Sequence, residues 1–240
     1  IDEQLQAALY LGRTYMDDQD QEAAFRTYAE ALQQTILENK PNQSGYISSY
    51  MGDVYQFQGM YQQAVEKYLA ASRYFRQAGN HRSEGIAFID ASRNYTFMDS
   101  LDIALACMLR ADSMMVLYGD SVDRACILNG LGNIYMEIDE YPHAEFYLKR
   151  AIQLDSTCWV PNNLALADLY LEQSNLKDAR KCLERISHLP SDQHVPVDWF
   201  YLSFLLNKEE GSLQGALDAL EQYVDAVYEQ LEIKNKTNLI

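Results

Sequence analysis

Gly52-Asp53-Val54-Tyr55-Gln56-Phe57-Gln58-Gly59-Met60-Tyr61-Gln62-Gln63-Ala64-Val65-Glu66-Lys67-Tyr68-Leu69-Ala70-Ala71 holds the pattern that decides the fold. A small residue, Gly52, is followed three positions on by Tyr55, twelve on by Ala64, sixteen on by Tyr68 and nineteen on by Ala71. The same series recurs along the chain. Its small residues are Gly12, Gly52, Ser92, Gly132, Ala167 and Ser203, spaced 40, 40, 40, 35 and 36 residues apart. Three positions beyond each stand Tyr15, Tyr55, Tyr95, Tyr135, Tyr170 and Leu206. The alanines that follow are Ala24, Ala64, Ala104, Ala144 and Ala179, and Ala216 arrives one residue late in the sixth unit.

Recurrence at this length marks a stack of helical hairpins. Within each unit the small residue and the tyrosine share one helix face with apolar neighbours such as Ala8 and Leu11. The small residue lets a second helix approach, and the spacing places the alanine opposite it. A bulky side chain there would overpack the contact at ~1–3 kcal/mol. Polar turns join the helices at Asp17-Asp18-Gln19-Asp20, Gln58-Gly59-Met60 and Ile138-Asp139-Glu140. Gly79-Asn80 and Gly119-Asp120, also 40 apart, read as helix-ending glycines followed by capping residues. Pro142 suits the first turn of its helix.

Composition supports an all-helical reading. Of 240 residues 48% are apolar, and only five are proline and eleven glycine. The 35 acidic and 19 basic residues give a formal charge of −16, which repels phosphate and argues against nucleic acid as a partner. No apolar run reaches the ~20 residues needed to span a bilayer. The first residue is Ile1, which fits removal of an upstream segment such as a secretory signal. Cytoplasmic and bacterial periplasmic or membrane-anchored locations both stay open. Cys107, Cys126, Cys158 and Cys182 show no paired spacing and are expected as free thiols.

The repeat resembles the tetratricopeptide family, whose unit is ~34 residues, in the longer form seen in bacterial regulators. The resemblance implies a right-handed α-α superhelix of about six helix-turn-helix repeats ending in a long C-terminal helix. One solenoid domain over residues 1–240 is expected, with repeats near 5–38, 45–78, 85–118, 125–157, 160–190 and 196–230. It also implies a protein- or peptide-binding scaffold whose groove is lined by the first helix of each unit. The position after each small residue then faces the groove: Arg13, Asp53, Arg93, Asn133, Asp168 and Phe204. Four residues earlier on that face lie Leu9, Ser49, Ile89, Asn129, Leu164 and Phe200.

Arg93, Asn129 and Asn133 are the polar groups best suited to a peptide, the arginine to a carboxylate and the asparagines to backbone. Alternatively, Arg93 pairs with Asp53 or Asp90 in its own groove. Some family members clamp a C-terminal carboxylate with lysines and asparagines. Here Asp53 and Asp168 occupy such positions, which disfavours that ligand. Tyr10, Tyr50, Phe57 and Phe97 make the groove acidic and aromatic, a surface that also suits an amphipathic helix.

Catalysis is not expected. His81, His143, His188 and His194 are scattered, no zinc-ligand spacing occurs, and the glycines at 130 and 132 are helix-packing residues rather than a phosphate loop. No metal or cofactor is called for. Past Gly211, the stripe Leu213, Leu217, Leu220, Val224, Val227 and Leu231 keeps 4-3 spacing. It fits a capping helix, a coiled coil leading to a further domain, or a surface for self-association. The last would make the chain an assembly protein rather than a scaffold. The chain also reads as the sensor or docking part of a larger bacterial regulatory or membrane-anchored protein.

Overall fold

The computed structural model describes residues 3–18, 20–154, 159–188 and 195–237. Among these, twelve α-helices follow one another without a strand: α1 (Glu3–Asp17), α2 (Gln21–Leu37), α3 (Pro41–Phe57), α4 (Tyr61–Gln77), α5 (His81–Phe97) and α6 (Leu101–Tyr118), then α7 (Ser121–Glu137), α8 (Tyr141–Leu154), α9 (Trp159–Glu172), α10 (Leu176–Ser187), α11 (Val197–Glu209) and α12 (Leu213–Thr237). The chain divides into two compact units, Ile1–Ile134 and Tyr135–Ile240. In the first, α1 pairs with α2, α3 with α4 and α5 with α6; in the second, α9 pairs with α10 and α11 with α12. Each of these hairpins is one repeat of the sequence. Cys158, His194 and Gln19 lie outside the described residues.

Local chemistry sets the helix ends. Asp20 accepts a hydrogen bond from the Ala23 N–H (3.0 Å), and Asn80 accepts one from Ser83 (3.1 Å), each satisfying an orphan donor of the first turn. Pro41 opens α3 and Pro142 lies in the first turn of α8. Helices end on a residue with left-handed backbone at Asn39, Gly59, Gly79, Asp99, Asp139, Ser174 and Gly211 (φ 53° to 75°). Glycine adopts this freely, whereas the four side-chain-bearing residues do so at ~1 kcal/mol or more. Gly119 departs from the pattern, ending α6 with extended backbone (φ −90°, ψ 161°), while Asp120 still accepts from the Asp123 N–H at 2.9 Å.

In the first unit, Ala24, Tyr28, Ile47, Met51 and Val54 form one buried cluster, and Ala64, Tyr68 and Ala91 form the next. All six small residues of the repeat are buried. Their neighbours refine the expected contact. Ser92 does meet the alanine twelve residues on, its Oγ donating to the Ala104 carbonyl at 2.7 Å. Gly12 and Gly52 instead lie under the rings of Tyr28 and Tyr68, whose atoms would come within 2.4 Å and 2.7 Å of an added Cβ. Glycine is therefore selected by the ring sixteen residues later, because a buried ring needs a flat, side-chain-free backbone beneath it.

Polar bonds spaced by one repeat join hairpins of this unit. Asn80 donates to Asn42 (2.8 Å), Asn94 to Gln56 (2.8 Å), and Arg82 to both carboxylate oxygens of Asp123 (2.6 and 2.9 Å). Glu84, 1% exposed in the first turn of α5, receives the Arg76 guanidinium through Nε and Nη2 (2.7 and 2.6 Å), while His81 Nδ1 lies 3.3 Å from its other oxygen. A carboxylate at a helix N-terminus is further favoured by the helix dipole.

In the second unit an apolar cluster is built from Ala144, Leu148, Leu166, Ala167, Leu169, Tyr170, Ala179, Cys182, Leu183, Leu202 and Leu206. Tyr170 is buried, and its hydroxyl reaches the rim to donate to Glu145 Oε1 at 2.6 Å. That is the expected use of a tyrosine beside a helix crossing.

Candidate functional site

On α3 and α5 the residue after the small one is turned outward, so Asp53 and Arg93 are exposed between buried neighbours. The structure places them in one electrostatic group with Asp90. Arg93 Nη1 donates to Asp90 Oδ1 at 3.2 Å, and Tyr68 reaches through from α4 to donate its hydroxyl to Asp53 Oδ1 at 2.7 Å. Gln56 Oε1 lies 3.2 Å from the same hydroxyl and accepts from Asn94 Nδ2 at 2.8 Å; Asn94 is wholly buried. The reading in which Arg93 pairs within its own groove therefore holds for Asp90.

Two carboxylates sharing one guanidinium are under-neutralised. Burial pushes the Asp90 carboxyl up to about 6; the charge of Asp53 adds to the rise, and Arg93 opposes it. Asp53 is raised as well, first by the protein crowded around its carboxyl, with the Tyr68 hydrogen bond and Arg93 working against it. Burial and the adjacent Asp53 hold the Tyr68 phenol far above its ordinary value, so it stays a donor.

Asp90 thus makes stability pH-dependent. Its folded value lies above its unfolded one, so the folded state keeps a proton that the unfolded chain releases between pH ~4 and ~6. The stability this contributes is complete at lower pH and lost as pH rises through about 6. Asp90→Asn is expected to raise stability by ~2 kcal/mol at pH 7.5 and to change it little at pH 4. Urea unfolding at the two pH values checks this, and an equal effect at both would contradict the assignment.

The other candidates are distributed. Arg13 is exposed on α1. Asn129 and Asn133 lie on α7, where Asn133 Nδ2 donates to Asn129 Oδ1 at 3.3 Å. Asp168, on α9 of the second unit, sits among acids: its carboxyl is raised by burial, with Glu137 and Asp198 adding to the rise. The aromatic rim is open, with Tyr10 77%, Phe57 62% and Phe97 54% exposed, Phe97 stacking on Tyr61 at 4.9 Å. Tyr50 is half-buried against Tyr28.

Tyr68, Gln56 and Asn94 lie outside the candidates named from the sequence. Asn94 had a readable signal, since it stands in a repeat column that is aliphatic at Val54, Ile134, Leu169 and Leu205 and holds the small Thr14 in the first repeat. A buried amide in a mostly aliphatic column needs partners, and Asn94 Nδ2 donates to Gln56 Oε1 and to the Asp90 carbonyl, each at 2.8 Å. Cys107 and Cys182 are free thiols, and burial raises both away from thiolate reactivity. Among the described residues no group of three or more His, Cys, Asp or Glu could hold a metal ion, and no helix is long and apolar enough to cross a membrane.

Helical hairpins with small residues at their crossings define a helical-repeat protein. Residues 127–158 match the family model described as tetratricopeptide repeat. Similar solved structures include pilF of Pseudomonas aeruginosa, 17% identical with TM-score 0.68 over 97% of this chain and 98% of that one. Aspartyl phosphate phosphatase F of Bacillus subtilis is 12% identical with TM-score 0.80, over 97% of this chain and 62% of that one. PH0952 of Pyrococcus horikoshii, a signal transduction ATPase with numerous domains and a tetratricopeptide repeat sensor, is 14% identical with TM-score 0.81, over 98% of this chain and 38% of that one. No curated protein matches the chain. The fold is the all-α tetratricopeptide-repeat superhelix.

Proposed function

We propose that this chain is a protein- or peptide-binding scaffold, and that the outward face of its first helices is the docking site. In the first unit that face offers Arg13, Asp53, Arg93, Asn129 and Asn133; Asp168 is the corresponding group of the second unit. The observation that carries this reading is the set of exposed, side-by-side charged and aromatic residues on α3 and α5, Asp53 and Arg93 with Phe57 and Phe97. Open aromatic and arginine side chains are what binding hot spots are made from, and a helix or extended segment laid across them would cover both kinds. A carboxylate ligand must compete with Asp90 for Arg93, whereas a basic group finds two acids in place.

The fold is a non-catalytic scaffold in most of its uses, and catalysis is not part of this proposal. The chain also reads as the docking or sensing portion of a larger bacterial regulatory protein. Support comes from PH0952, where a repeat sensor of this fold is one part of a multidomain ATPase.

Arg93→Ala and Asn133→Ala are each expected to weaken capture of a natural partner ~10-fold. Asn133→Ala leaves the melting temperature nearly unchanged, whereas Arg93→Ala, which takes the counter-charge from Asp53 and Asp90, lowers it. Pull-down from native lysate with quantitative mass spectrometry reads the first effect, calorimetry the second. Identical partner recovery by wild type and both variants would remove the face from consideration.

A further inference from the structure

The last helix carries a surface that the fold does not use. At 25 residues α12 runs ~37 Å, against ~20 Å for the 13-residue α11 on which it folds back. One side of its first half is packed. Ala216 and Ala219 are buried, the Gly215 backbone lies against Asn207, and Tyr223 meets Tyr201 at 5.6 Å between ring centres. From Leu220 to Glu232 no described residue of α12 is buried.

The other side is apolar and uncovered. Leu213 is 78% exposed, Leu217 55%, Leu220 37%, Val224 41%, Tyr228 66% and Leu231 49%. At ~100° per residue these six fall within an arc of about 80°, near the width of a core-facing stripe. Together they leave on the order of 600 Å² of apolar surface open, the top of the range for a monomer's largest patch. It approaches the ~800 Å² that one partner contributes to a stable interface.

Charge selects the occupant. Asp218, Glu221, Asp225, Glu229 and Glu232 fill the adjoining arc, and residues 213–232 contain no Lys or Arg. A second copy would bring five more negative charges to this stripe on a chain already at −16. Anionic lipid meets the same repulsion. A helix with basic flanks converts the acidic border into complementary pairs around an apolar seam.

We propose that the outer face of α12 docks an amphipathic helix of a partner protein, apolar along one stripe and lined with lysine or arginine beside it. The proposal is independent of the first-helix face, because the two sets of residues share no member.

Two synthetic peptides of about 25 residues test it. Both carry leucine at heptad a and d positions, one flanked by lysine and the other by glutamate. Fluorescence anisotropy with the full chain is expected to give the lysine peptide at least ~30-fold tighter binding, weakening ~10-fold between about 50 and about 500 mM salt. The triple variant Leu217→Ser/Val224→Ser/Leu231→Ser should lose that binding and keep its melting temperature, while Arg93→Ala should keep the binding. Failure of the lysine peptide to bind, equal binding of the two peptides, or unchanged binding by the triple variant would each overturn the proposal. So would sedimentation showing a wild-type dimer that the triple variant abolishes, which would make the occupant a second copy.

Discussion

Gly52→Leu is expected to lower the unfolding free energy by ~3 kcal/mol or more, the upper part of the overpacking range. The first added carbon alone would stand 2.7 Å from Tyr68 Cε1, and the rest of the leucine side chain follows it. Tyr68 has nowhere to go, since its ring is 1% exposed and its hydroxyl is bound to Asp53. Leucine is the better helix former by somewhat under ~1 kcal/mol, which offsets only part of the clash. Adding Tyr68→Ala should make the double variant less unstable than the sum of the two single changes, because each relieves the other's error. Urea midpoints of the four proteins measure this. A Gly52→Leu protein within ~0.5 kcal/mol of wild type would mean that the Tyr68 ring yields freely and does not hold position 52 to glycine.

Arg76→Ala is expected to cost ~3 kcal/mol, far above the ~0–1 kcal/mol typical of a surface ion pair. The arginine side chain is itself half-exposed, but its acceptor Glu84 is 1% exposed. Removing the guanidinium strands a buried carboxylate beside His81, whose Nδ1 lies 3.3 Å from its other oxygen. Glu84→Gln in the Arg76→Ala background should recover part of the loss by removing the stranded charge. A double-mutant cycle read by urea unfolding supplies the coupling. A loss below ~0.5 kcal/mol on Arg76→Ala would show that water reaches Glu84.

These two positions differ in how legible they are. Gly52 is visible because a small residue recurring every 40 residues at one helix position has few explanations other than close packing. What the spacing does not tell is which neighbour fills the space. Residues twelve and sixteen further on lie on the same face of the second helix, and the ring, being larger, takes the contact. The Arg76–Glu84 pair is invisible. The two residues lie on different helices on either side of a left-handed turn, and nothing in a string of letters says that Glu84 is out of reach of water. Arg93 lies between these cases. Its spacing from Asp90 permits a pair, which the structure shows with Nη1 3.2 Å from Asp90 Oδ1, and the half-exposed guanidinium keeps its outer face toward solvent. Gln56 and Asn94 escape a reading that follows the repeat by its small and aromatic residues, because their signal is one amide in a column that is aliphatic at four of its six positions. The 4-3 stripe of α12 is plain in the sequence; how much of it the preceding helix covers depends on the two helix lengths.

The left-handed residues at 39, 59, 79 and 99 are twenty apart, so in that part of the chain every helix ends on the same joint at the same interval. The true module there is a single rod with its elbow, and the 40-residue period is two of them. A segment cut out between two alternate elbows would leave matching ends that rejoin without new turn chemistry. Duplication or excision of a whole hairpin can therefore change the length of the array without redesigning any splice, which gives such a chain an easy route to new sizes.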